Sequence, residues 1–106
     1  MTVMKPNELA SSIKHNSPPY IVDVRSAFEF RSGKIPGAVN LPLWKIPFSQ
    51  NVLPGDFKQN IVVTCEHGPR AIIAVLLLRG RGYRCCQQLE GHMAAWRRLG
   101  LPVEKS

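Results

Sequence analysis

In the stretch Ile61 to Ala71, IVVTCEHGPRA, a run of β-branched residues delivers Cys65, and Gly68, Pro69 and Arg70 follow at once. The attacking species of a nucleophilic cysteine is the thiolate, so such a site has to favour an anion. Gly68 lets the backbone curl until several N–H groups converge on one point. A helix opening near Pro69 or Arg70 would aim its positive end there, and proline suits a first helical turn. Arg70 adds a full charge able to grip an oxyanion through paired hydrogen bonds. The competing reading is that Cys65 is a small buried hydrophobe at a strand end. A Cys-x-x-Gly-x-Arg spacing at a strand-to-helix junction favours the reactive site, with Cys65 as nucleophile and Glu66, His67, Gly68, Pro69 and Arg70 as its binding loop.

The flanking elements must hold that loop. KPNELASSIKH places Leu9 and Ile13 four residues apart, as on a short amphipathic helix. YIVDV, Tyr20 to Val24, reads as a buried parallel strand. Ser26 with Glu29 three residues later forms a capping box for a short helix. A short strand, Ala38 to Leu41, and a turn of helix, Trp44 to Phe48, come next, with NVLPGDFKQN as a surface connection. IVVTC is the most strand-like run, and RAIIAVLLLRGRG has helical length with Gly80 or Gly82 as its stop. YRCCQQL predicts a last strand and HMAAWRRLGLP a last helix. Strands alternating with helices indicate an α/β domain with a mainly parallel sheet, whose ligands bind beyond the carboxyl ends of the strands. Cys65 stands at such an end. The apolar faces of IVVT and IIAVLLL are expected to be buried at the centre.

The chain has 106 residues, which predicts one domain, 1–106, with 44% hydrophobic and 20% charged residues. No apolar run reaches the roughly 18 residues of a membrane span, and MTVMKPNELA lacks a signal pattern, which predicts a cytoplasmic protein with no membrane partner. Three cysteines, two of them adjacent, do not form a disulfide framework or a CxxC metal pattern. The balance of 14 Lys+Arg against 7 Asp+Glu gives +7, a field that favours anions. The basic residues are spread along the chain without interleaved aromatics, which argues against nucleic acid.

With these residues in view, VVTCEHGPRA resembles the active-site loop of the rhodanese family, whose single-domain members carry Cys-x-x-Gly-x-Arg-Ser/Ala between a central strand and helix. IVDVRSAFEFRSGKIPGAVNLP is similar to the family's Asp-x-Arg, Glu and Gly-His-Ile-x-Gly-Ala-x-Asn pattern, and RGYRCCQQLEGHMAAW to its closing Gly-Tyr, Leu-x-Gly-Gly and Ala-Trp signature. The resemblance implies a three-layer α/β fold with a mainly parallel five-stranded sheet between helices. It implies a sulfurtransferase in which Cys65 takes sulfur from a donor such as thiosulfate as a persulfide and yields it to cyanide, a thiol or a sulfur-accepting protein. No metal or organic cofactor is needed. The alternative is a persulfide carrier with little turnover on thiosulfate. Related phosphatases and arsenate reductases carry one residue more between Cys and Arg than the four here, a wider cradle better suited to a tetrahedral phosphate.

Several positions depart from the pattern. Glu66, pointed inward, would oppose both the thiolate and an anionic donor, so it is expected to face water. His67 is either a contact to donor or acceptor or a rim residue. Pro69 removes one N–H from the cradle. Lys34 replaces the family's usual histidine and His92 the second glycine of its closing pair; both read as local packing. Asp23 and Arg25 match Asp-x-Arg and are expected to support the loop, with Arg25 paired to Glu29 in preference to contacting substrate. Cys86 reads as a packed thiol and Cys85 as its opposite-facing neighbour, while Trp44 and Trp96 read as core or rim anchors.

Overall fold

The computed structural model describes residues 2–48 and 52–105. In chain order the elements are β1 (Val3–Met4), α1 (Pro6–Lys14), β2 (Tyr20–Asp23), α2 (Ala27–Ser32), β3 (Val39–Asn40), a 3-10 helix (Leu43–Phe48), β4 (Ile61–Thr64), α3 (Pro69–Gly80), β5 (Cys86–Leu89) and α4 (His92–Arg98). All strand pairs are parallel, in the order β1-β5-β4-β2-β3. The chain runs from β2 outward to β3, then returns to place β4 on the other side of β2. Between the carboxyl ends of β2 and β4 lies the switch point at which open α/β sheets bind ligands.

Both faces of the sheet are covered. Ile61, Val63 and Cys65 share one face with Val22 and Val24, packed against Ala71, Ala74, Val75 and Leu78 of α3 and Ile46 of the 3-10 helix. Val62 and Ile21 point the other way, toward Leu9 of α1 and Met93 and Trp96 of α4. The two-residue alternation of β4 therefore puts Cys65 on the α3 side. Every residue of β4 is buried, which accounts for its unbroken β-branched run.

Three expectations need correction. The strand read over Ala38 to Leu41 is only Val39–Asn40, because Ala38 N–H turns back to the Ile35 carbonyl at 3.0 Å. Only one side of α3 is covered; Ile72, Ile73, Leu76 and Leu77 are exposed, so the helix flanks the sheet and is apolar on both sides. The connection read as NVLPGDFKQN, whose Asn51 lies outside the described residues, is no mere surface loop. Leu53 is buried, and the hydroxyls of Tyr83 (2.6 Å) and Tyr20 donate to the carbonyls of Pro54 and Val52. Strand β1 was not expected, and it pairs Val3 and Met4 with Gln88 and Leu89.

Leu78 is fully buried between α3 and the sheet. Leu78→Ala is expected to cost about 2–5 kcal/mol. Urea unfolding should show a lower midpoint with an unchanged slope.

Candidate active site

Strand β4 ends at Thr64, and the chain bends at once around the sulfur. Cys65 has no exposed surface, and its Sγ accepts the Gly68 N–H at 2.9 Å. Gly68, at φ +133°, is the residue preceding α3, in a backbone region that a side chain would strain. Pro69 opens α3, as its missing N–H allows. Of the expected loop residues, Gly68 is buried, Glu66 and Arg70 are half-buried, and His67 and Pro69 face solvent.

The strand beside the loop supplies a charged support. The side chain of Asp23, buried at the end of β2, accepts from Arg25 Nε at 3.0 and 3.1 Å and from its Nη2 at 2.8 Å. Arg25 Nη2 also donates to the Gly33 carbonyl at 2.8 Å, and its Nη1 lies 3.5 Å from Glu66. The Asn40 amide holds this strand exit by donating to the carbonyls of Asp23 (3.1 Å) and Arg25 (2.9 Å). Asp23 and Arg25 thus stand next to the loop, with Arg25 as the link.

The ion pairs differ from those expected. Glu29 does not pair with Arg25; its two oxygens take Arg70 Nη1 and Nη2 at 2.7 and 3.0 Å. Arg25 lies outside the helix, before the cap at Ser26, whose own backbone is extended, so the helical i,i+4 geometry between residues 25 and 29 never forms. The capping box itself is present, with Ser26 N–H on Glu29 Oε1 at 3.1 Å and Glu29 N–H on Ser26 Oγ at 3.3 Å. Arg70's hydrogen bonds, ahead of those from Ser26, hold the Glu29 carboxyl down to about 2. Glu66 is not simply solvated either: its carboxylate bridges Arg25 and Arg97. Sequence reading missed Arg97 entirely, for nothing in the loop motif points to the last turn of α4.

His92 also belongs to the site. Its ring is buried, and Nδ1 accepts the Cys65 N–H at 3.3 Å. Burial, with a smaller contribution from His67, pushes its imidazole below the ordinary value. The next two amides of α4 hold the same segment, Met93 N–H on the Cys65 carbonyl (3.0 Å) and Ala94 N–H on that of Glu66 (3.2 Å). Lys34 stays apart from the loop: its backbone bridges Glu104, and its ammonium lies 4.7 Å above the Phe30 ring.

Beside the loop, a cleft of about 370 Å³ is lined by Arg25, Glu29, Ser32, Gly33, Glu66, Arg97, Val103 and Lys105. A larger one of about 480 Å³, between α1 and Pro102, contains no loop residue. Among the described residues, no group of three or more His, Cys, Asp or Glu side chains could hold a metal ion, and no helix is long and apolar enough to cross a membrane. Cys86 is buried, and burial pushes its thiol up to about 11. Cys85 is exposed just before β5, its carbonyl bonded to the Ile61 N–H at 2.9 Å. That is the opposite end of β4 from Cys65, a separation of roughly 13 Å at about 3.3 Å per residue, too far for a disulfide. Trp96 is buried with Nε1–H on the Pro102 carbonyl at 2.8 Å, whereas Trp44 is exposed.

The Glu29 carboxyl falls from an ordinary 4.5 to about 2, so it stabilises the fold fully above pH 4.5 and loses that contribution as pH falls through about 2. Its pair with Arg70 is 34% and 38% exposed on the two sides, so solvent screening limits the effect to about 0.5–1 kcal/mol. Urea titrations across pH should show Glu29→Gln less stable than wild type near neutrality, with the gap closing toward pH 2. A gap independent of pH would contradict this assignment.

Comparison with known proteins fits this geometry. The sequence model of the rhodanese-like domain matches residues 5–99. A sulfurtransferase of Allochromatium vinosum is 36% identical over 83 residues, covering 78% of this chain and 76% of its own. The thiosulfate sulfurtransferase GlpE of Pseudomonas savastanoi is 30% identical over 92 residues, covering 87% and 84%. Among solved structures, a rhodanese-like domain protein from Staphylococcus aureus superposes with a TM-score of 0.83 at 31% identity, covering 100% of both chains. With the parallel sheet, the loop at its switch point and a match over most of its length, this chain belongs to the rhodanese family.

Proposed function

We propose that the chain, acting as one unit over residues 1–106, is a sulfurtransferase that moves sulfane sulfur through a persulfide on Cys65. The observation that carries this reading is the Gly68 N–H directed at Cys65 Sγ, in a loop between the sheet switch point and the start of α3. Backbone donors in that geometry stabilise negative charge on sulfur without side-chain reorganisation. The family's sulfurtransferase relatives support the reaction class.

In the first half-reaction the Cys65 thiolate attacks the outer sulfur of a donor such as thiosulfate. The donor's S–S bond breaks, its electron pair leaves with sulfite, and Cys65 carries the anionic persulfide. In the second, cyanide or a thiolate attacks the outer sulfur, and the Cys65 thiolate departs as leaving group. The loop supplies the N–H donors, while Asp23 and Arg25 brace it from β2 through Glu66. The three free cysteines suit a reducing compartment, and we place the protein in the cytoplasm.

A second reading, a carrier that delivers persulfide sulfur to a partner protein, is favoured by two features. Cys65 is fully buried at rest, and the charge of Arg70 is occupied by Glu29. Steady-state thiosulfate:cyanide assays separate the two: a loaded protein with negligible turnover would favour the carrier. Hydrolysis of an aryl phosphate would instead support phosphatase chemistry, which the short loop disfavours.

Intact-protein mass spectrometry after incubation with thiosulfate should find one added sulfur atom on wild type and none on Cys65→Ser. Added sulfur that persists in the variant, or its absence from wild type, would overturn the role of Cys65.

A further inference from the structure

At His92 the chain takes a conformation that a side chain makes costly. The residue has φ 55° and follows Gly91 at φ 70°, two left-handed residues in succession. Such strain in a non-glycine residue persists only where its surroundings hold it in place. Here the ring is buried and Nδ1 accepts the Cys65 N–H at 3.3 Å. An accepting Nδ1 carries a lone pair, so the ring is neutral with its proton on Nε2. The Nε2 edge lies against Gly68, 3.4 Å from where a Cβ would stand on that residue. One imidazole therefore serves both ends of the bend that surrounds the sulfur: it accepts the amide of Cys65, and it fills the space that a side chain on Gly68, whose own N–H points at Sγ, would need. With Met93 N–H on the Cys65 carbonyl, both polar groups of the nucleophile's backbone are tied to the start of α4.

We propose that His92 is a positioning residue, whose neutral imidazole accepts the Cys65 N–H and braces Gly68 so that the thiolate is held in its reactive geometry. This rests on the assignment of Cys65 as nucleophile. Removing the acceptor leaves a buried N–H without a partner, and the loop gives up its fixed direction to recover one. Asparagine is the informative replacement. Its Oδ1 branches from Cγ as Nδ1 does in histidine, it accepts without titrating, and it tolerates left-handed backbone.

The test compares wild type with His92→Asn, His92→Leu and His92→Gly, with folding checked by circular dichroism. Two rates are read: alkylation of Cys65 by iodoacetamide, and single-turnover sulfur loading from thiosulfate. His92→Asn should stay within about twofold of wild type, while the leucine and glycine variants fall by about tenfold or more in both rates. Leucine or glycine variants at the wild-type alkylation rate would overturn the proposal, as would an asparagine variant as slow as they are. Wild type that fails to load sulfur while the alkylation order holds would sink the sulfurtransferase reading and leave the role of His92 standing. Nitrogen-15 NMR of the wild-type imidazole decides the matter even if variants misfold. Nδ1 should report as unprotonated and Nε2 as protonated at neutral pH, and the reverse tautomer would overturn the proposal.

Discussion

Strands β2 and β4 are paired in parallel from Tyr20 with Ile61 to Asp23 with Thr64, and Val24 N–H carries the ladder on to the Thr64 carbonyl at 2.9 Å. This register is what aligns the Asp23–Arg25 exit with the bend at Cys65. A slip of one residue would exchange the two faces of a strand, sending Val22 and Val24 away from α3 and Asp23 into the apolar layer beneath it. Buried β-branched residues on both faces make that slip prohibitive. The sulfur's place is thus set by the packing of the sheet interior before any polar contact in the loop is considered.

On that frame the polar contacts form two separate ties. Asp23, Arg25, Glu66 and Arg97 join β2, the loop and α4, while Glu29 and Arg70 join α2 to α3. The guanidiniums of Arg25, Arg70 and Arg97 are therefore already matched with carboxylates, although the chain carries +7 overall. An incoming anion has to compete with Glu29 or Glu66 for these guanidiniums. The Gly68 N–H, by contrast, is already directed at the sulfur and is not engaged by a carboxylate.

The loop was readable from sequence because its requirements are local: a strand end, a glycine at positive φ, a proline at a helix start. The alternation of strands and helices was readable for the same reason. What could not be read depends on distance in space. The Arg70–Glu29 pair spans 41 positions, and the local candidate, Arg25, lies just outside the helix that would have brought it to Glu29. Strand β1 has only Val3 and Met4, too short for any alternation to register. In α3 apolar residues occupy both sides, so periodicity gave no hint of which face is covered. His92, in a position where the family pattern carries glycine, read as packing; its contact with the Cys65 amide exists only because α4 returns beneath the loop.

The brevity of the outer strands has a consequence for the chain in company with others of its kind. Both edges of the sheet, β1 and β3, are two residues long. Ile61 to Thr64, a segment whose composition would stack readily into fibrils if laid bare, lies in the middle, flanked by neighbours on both sides. A foreign strand arriving at either margin finds very few unpaired amides to template on. The same arrangement that fixes the sulfur therefore guards the folded protein against strand-by-strand polymerisation, and leaves that hazard to the unfolded chain.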